Sequence, residues 1–284
     1  MRGVRRLWSL AAIALAALTV AGCGIKAEPT ANSARFPSHA VDATGAAVSL
    51  STPPTRIVSL DPGATAILRD VGLADRTTVA TTASIGSAAA DPTTALIIVP
   101  LGIDDATLAT IQTVSPVPVF QYGARPLTIA PTAIIQLGLA VGKGPEAARI
   151  ARSVAAGLAA LANRVANQGS VRVLIEGQGL QAFGPLSPVG EAVAAAGGSN
   201  VVSTDQTLTV AALAHLNIAA WVSLQPGGSR LATLQKFPEF ARIPAIMAGR
   251  VIPVPEAAYP IDATLPAALQ TLADDLRATP VTTE

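Results

Sequence analysis

The sequence predicts an α/β protein made of two lobes joined by one long α-helix. Three observations carry this. Short β-rich runs alternate with helical ones, the alternation restarts after about residue 169, and an unbroken helical stretch, "KGPEAARIARSVAAGLAALANRVANQG", lies between the halves. Strand–helix alternation argues for parallel sheets covered by helices, and here it argues for two of them.

The chain opens with Arg2, Arg5 and Arg6, then the apolar run Leu7 to Ala21, then small residues ending at Cys23. The run is too short to span a bilayer and carries the charge flank of a secretory signal. Val20-Ala21-Gly22-Cys23 resembles the bacterial lipobox, which implies a signal peptide over 1–22 and a lipid-modified Cys23 as the first mature residue. The alternative is an ordinary signal peptide with an incidental cysteine. Cys23 is the only cysteine, so the mature chain has no thiol for a disulfide or a redox pair. Lipid chains would hold it on the outer face of a membrane. Residues 23–52 are rich in Ala, Ser, Thr and Pro without sustained period and read as a tether that becomes ordered near its end. His39 is expected to be solvated there.

The first lobe is assigned to 53–142. It starts with "TRIVSLDPGATAIL": a strand from Arg56 to Leu60, an Asp-Pro-Gly turn and an apolar helix. "TTVATT", "TALIIVP" with "DDATLATIQTV", and "VPVFQY" with "APTAIIQLGLAVG" continue the pattern. The linking helix is assigned to 143–168. Gly144-Pro145 suits its start, Gly169 its stop, and no proline interrupts it. About 23 residues at 1.5 Å each make a rod of roughly 35 Å, long enough to cross between lobes. The second lobe, 169–284, runs from "VRVLIEG" through "AAWVSLQP" to "RVIPVPE".

Composition narrows the function. Without the three signal arginines, 16 basic residues face 18 acidic ones, a formal charge of −2. A nearly neutral chain lacks the electrostatic footprint of a nucleic-acid binder. Half the residues are apolar but only 3% are aromatic, so the core is built from small side chains.

Several motifs in order resemble the substrate-binding proteins of importers for cobalamin, iron–siderophore complexes and haem. In "RIVSLDPGATAILRDVGLADR", Pro62, Thr65, Ile67, Leu68, Gly72, Asp75 and Arg76 match that family's opening. "TTALIIV", "AIIQLGLAVGK", "VGEAVAAAGGSNVV" and "IPAIMAGRVIPVP" follow in order, and the resemblance covers roughly residues 53 to 277. It implies the helical-backbone type of periplasmic binding protein: two Rossmann-like lobes with the ligand in the cleft between them and little hinge motion. It also implies an ATP-driven permease as partner. The departures are specific. The family's Thr-Glu is Thr65-Ala66 here. The two places where it carries permease-docking acids read alanine, near 89 and at Ala211, and alanine forms no charge-assisted pair.

In open α/β sheets, ligands collect beyond the carboxyl ends of the strands. Those ends supply Asp61, Tyr122 and Arg125 in the first lobe, and Gln178, Arg230 and Tyr259 in the second, with Phe183 as a further candidate for the cleft. The two tyrosines, one per lobe, are the chain's only ones. They suit stacking on a planar ligand or, by the resemblance, phenolate coordination of ferric iron. The arginines suit an anionic siderophore or a haem propionate. Asp61 has a second reading, capping the helix that begins at Pro62. Trp221 reads as core and His215 as a partly buried surface residue.

Other chemistries are disfavoured. With two histidines, one in the tether, no zinc or manganese cage of the usual ligands assembles. No Gly-x-Ser-x-Gly elbow presents a nucleophile, and "GQGLQAFG" lacks both the Walker lysine and dinucleotide spacing. The expectation is a lipid-anchored binding protein for a metal chelate, an iron–siderophore or haem before cobalamin. It has no cofactor, no resident metal, no nucleic-acid partner and no catalysis. The alternative is an accessory lipoprotein of the same fold without a transport role.

Overall fold

The structure, a computed structural model, describes residues 36–225, 230–255 and 259–278. The signal segment and Cys23 lie outside the described residues. The later part of the expected tether is a hairpin. Ser38–Val41 (β1) pairs antiparallel with Ala47–Leu50 (β2), turning at Gly45 with φ 88°. Ser38, Ala40, Val48 and Leu50 alternate inward with period 2. His39 is exposed on this hairpin, its Nδ1 2.8 Å from Ser49 Oγ.

The first lobe follows the predicted order. Arg56–Ser59 (β3) leads through Pro62–Asp70 (α1) to Thr77–Val79 (β4), and Ile85–Ala89 (α2) precedes Thr94–Pro100 (β5). Asp105–Val114 (α3), Val119–Tyr122 (β6) and Ala130–Ala140 (α4) complete it. The four strands form a parallel sheet in the order β4-β3-β5-β6. Ile57, Val58 and Leu96 to Val99 are fully buried, as strands covered on both faces require. The hairpin packs on α4, where Ser38 Oγ donates to the Ala140 carbonyl at 2.8 Å. The α2 helix is only five residues long and buries Ala89 at 2% exposure.

Gly144–Ala166 (α5) is the predicted rod, 23 residues with Pro at its first turn. Its apolar stripe divides between two cores. Ala147, Ala151 and Val154 belong to the first lobe's core and Leu161 to the second's, while Leu158 touches both.

The second lobe begins with Val171–Glu176 (β7), Gln181–Ala182 (β8), Pro188–Ala195 (α6) and Gly198–Asn200 (β9). Gln206–Thr207 (β10), Val210–His215 (α7), Ala220–Ser223 (β11) and Arg230–Leu234 (α8) follow. Pro244–Met247 (α9), Val251–Pro253 (β12) and Leu265–Asp275 (α10) close it. Its sheet runs β10-β8-β7-β11-β12, with β9 also parallel to β7. The β7, β11 and β12 strands are parallel, and β8 folds back antiparallel on Glu176. The α10 helix lies against α5, where Gly157 makes room. A Cβ there would stand 2.6 Å from Pro266 Cβ. Trp221 is core, as expected, edge-on to Phe240. His215, expected to be partly buried, is exposed instead, because the short α7 turns its last residue to solvent.

Candidate functional site

The carboxyl ends of β3 and β6 in one lobe and the segment after β12 in the other enclose a cavity of about 270 Å³. Asp61, Tyr122, Arg125 and Tyr259, four of the seven predicted ligand residues, line it together. Apolar cover comes from Leu101, Leu127, Val189 and Ile261.

Asp61 does cap α1. Its Oδ1 accepts from the Ala64 N–H at 2.7 Å, and Pro62 follows as the first helical residue. It also lines the cavity, so the two sequence readings are compatible. Burial raises its pKa above 3.8; the Ala64 and Gly63 N–H groups oppose the shift and Asp262 adds to it.

Tyr122 ends β6 with its ring in the first lobe's core, at 1% exposure. Its hydroxyl donates to the Ile261 carbonyl across the cleft at 2.6 Å. Burial holds the phenol well above its ordinary value, with Asp61 and Asp262 acting in the same direction. Gly63 permits the approach, since a Cβ there would lie 2.7 Å from Ile261 N. Tyr259 is half-buried, and burial, aided by Asp275, raises its pKa to about 12.

Arg125 follows β6 and is exposed, and its guanidinium forms no hydrogen bond or ion pair among the described residues. Facing it from α6 is Glu191, a residue the strand-end rule does not reach. Burial raises the Glu191 pKa, while the Arg125 charge and then the Leu127 N–H oppose the shift. Its Oε2 is buried without a hydrogen-bond partner among the described residues. A glutamate in the first turn of a helix reads as a complement to the helix dipole, and nothing local marks it as lining a cleft.

The other predicted residues are placed differently. Phe183 lines an adjoining cavity of about 400 Å³ with Ser187, Ser203 and Asp205, and this cavity shares Arg125 and Pro188 with the first. Gln178 is exposed in the turn after β7 and lines neither cavity. Arg230 lines neither. Its fork instead holds the buried Glu176, Nε donating to Oε2 at 3.1 Å and Nη2 to Oε1. Trp221 Nε1 donates to the same carboxylate at 2.9 Å and Gln225 Nε2 at 3.2 Å. A guanidinium so engaged serves the buried Glu176 as its counter-ion.

No family model matches the sequence, and no curated protein matches it. Solved structures do match in fold. The chain is similar to the heme binding protein HmuT at TM-score 0.69 and 18% identity, covering 86% of this chain and 91% of that one. It is similar to the periplasmic heme-binding protein RhuT of Roseiflexus sp. RS-1 at TM-score 0.65 and 22% identity, covering 78% and 97%. It is also similar to CeuE of Helicobacter pylori, a nickel–histidine complex, at TM-score 0.67 and 14% identity, covering 84% and 87%. The chain shares the two-lobed, helix-spanned fold of the periplasmic solute-binding proteins.

Proposed function

We propose that this chain is an extracytoplasmic binding protein, lipid-anchored through Cys23, that captures a metal chelate and presents it to an ATP-driven permease. The observation that carries the reading is the shared cavity: strand ends from both lobes bring Asp61, Tyr122, Arg125 and Tyr259 to one apolar-walled space. The fold supports it, since ligands of α/β sheets collect at such ends. An iron–siderophore complex or haem is preferred to cobalamin. The role is binding, with small lobe movements signalling occupancy. Quenching of intrinsic fluorescence by ferric siderophores, haem and cobalamin tests it. A dissociation constant below about 10 μM for one of them is expected, and none that tight would refute the reading.

A second reading is favoured by a specific observation. Ala89 is buried and Ala211 exposed at the places where docking acids are expected. On this reading the protein keeps the fold as an accessory lipoprotein without transport. Pull-down from solubilised membranes discriminates the two, because only transport predicts recovery of permease subunits.

A further inference from the structure

The charges on the inter-lobe cavity do not balance. Among the described residues, two carboxylates, Asp61 and Glu191, line it against a single guanidinium, Arg125. Behind them the buried Asp262 adds negative potential that is felt at both Asp61 and Tyr122. Two of these three acids are already satisfied. Asp61 caps α1, and Asp262 accepts from Thr264 N at 2.7 Å and Thr264 Oγ1 at 2.6 Å. Glu191 is only partly so: its carboxylate meets the Arg125 charge and the Leu127 N–H, but its buried Oε2 has no hydrogen-bond partner among the described residues. A buried carboxylate oxygen without a partner is unfavourable and calls for a group that supplies one.

Size says what part of a ligand enters. A cavity of about 270 Å³ falls just below the roughly 300–1,000 Å³ typical of pockets that enclose a whole drug-sized ligand. The adjoining cavity of about 400 Å³ shares the Arg125 wall, and Glu191 lines only the first. The chelate body therefore has room beside Phe183, with a limb reaching past Arg125 to Glu191.

We infer that the inter-lobe cavity receives an ammonium-bearing limb of the chelate, and that Glu191 is the residue that selects for it. The inference rests on the chelate-capture reading and narrows it. A cationic or cation-tailed chelate fits the field of Asp61, Glu191 and Asp262, whereas an anionic one meets three acids and a single arginine. Arg125, at the junction of the two cavities, is placed to contact metal-bound oxygen atoms of the body.

The test uses two ferric trihydroxamates with the same metal coordination. Ferrioxamine B ends in a free ammonium, and ferrioxamine E is the uncharged macrocycle. Fluorescence quenching of the full-length chain in detergent is titrated with each, with haem and cobalamin in parallel. The expected result is ferrioxamine B binding at least about tenfold tighter than ferrioxamine E, charge-assisted bonds being the strong ones. Glu191→Gln, checked for an unchanged melting temperature, should remove that preference while leaving ferrioxamine E within about twofold. Equal binding of the two chelates, or a parallel loss of both in the variant, overturns the inference. Binding of haem or cobalamin without either ferrioxamine overturns it too but leaves chelate capture standing. Failure of all four probes brings down capture as well.

Discussion

The hydroxyl of Tyr122, at the tip of a strand in one lobe, donates to the backbone carbonyl of Ile261 in the other at 2.6 Å. Both residues line the cavity, so the bond ties the lobes together at its wall. In Tyr122→Phe the ring still fills the core, and the Ile261 carbonyl loses its donor. A loss of about 1–3 kcal/mol in urea unfolding is expected. An unchanged midpoint would show that the carbonyl finds another partner.

The two tyrosines also bear on iron chemistry. Both phenols are raised above the ordinary value of 10, Tyr259 to about 12 and Tyr122 well above 10. Ultraviolet absorbance titration should therefore find neither ring appreciably ionised at about pH 10, where a free tyrosine is half-ionised. One phenolate equivalent forming by that pH would contradict the burial of both rings.

Asp61 links the site to acid stability. Its folded-state pKa lies above 3.8, so the folded chain holds the proton more tightly than the unfolded one. The stability this gives is present below about pH 3.8 and is lost as pH rises through the folded value. Asp61→Asn keeps an acceptor for the Ala64 N–H and removes the buried charge. It should flatten the fall in stability across that acid window and leave the protein no less stable at pH 7. Asp61→Ala removes the cap and is expected to lose about 1 kcal/mol. Denaturation midpoints measured from acid to neutral pH distinguish the two variants, and a steeper fall in the Asn variant would oppose the assignment.

Arg230 provides the contrast. Glu176 is 1% exposed and takes both donors of the Arg230 fork. Arg230→Ala leaves a buried carboxylate short of its counter-ion, and a loss of about 3 kcal/mol is expected. Chelate affinity should not move, since Arg230 lines neither cavity. A variant of normal stability with weakened binding would return Arg230 to the site.

Local signals made the architecture legible. The rod read as 143–168 is Gly144–Ala166, and the strand read as Arg56 to Leu60 is Arg56–Ser59. Helix formers, Gly-Pro starts and apolar runs act within a few residues and survive in sequence. Partnerships are less legible. Arg230 reads from sequence as a strand-end candidate and Glu176 ends β7, but nothing in the chain says that they meet each other. Tyr122 and Ile261 lie 139 residues apart. Glu191 feels the Arg125 charge and the Leu127 N–H, which come from the other lobe. The Ser38–Leu50 hairpin hid in its composition, because the inward Ser38 is polar and the outward Val41 and Ala47 are apolar, which blurs the alternation.

The rod sets one further condition. Val154 is fixed in one core and Leu161 in the other, with only helix between them. One residue inserted in that interval would turn one half of the molecule by about 100° and shift it by about 1.5 Å relative to its mate. Tyr259 would then swing away from Tyr122, with every pocket-forming side chain unchanged in sequence. The spacing of that short interval is thus as much a part of the cavity's shape as the residues that line it.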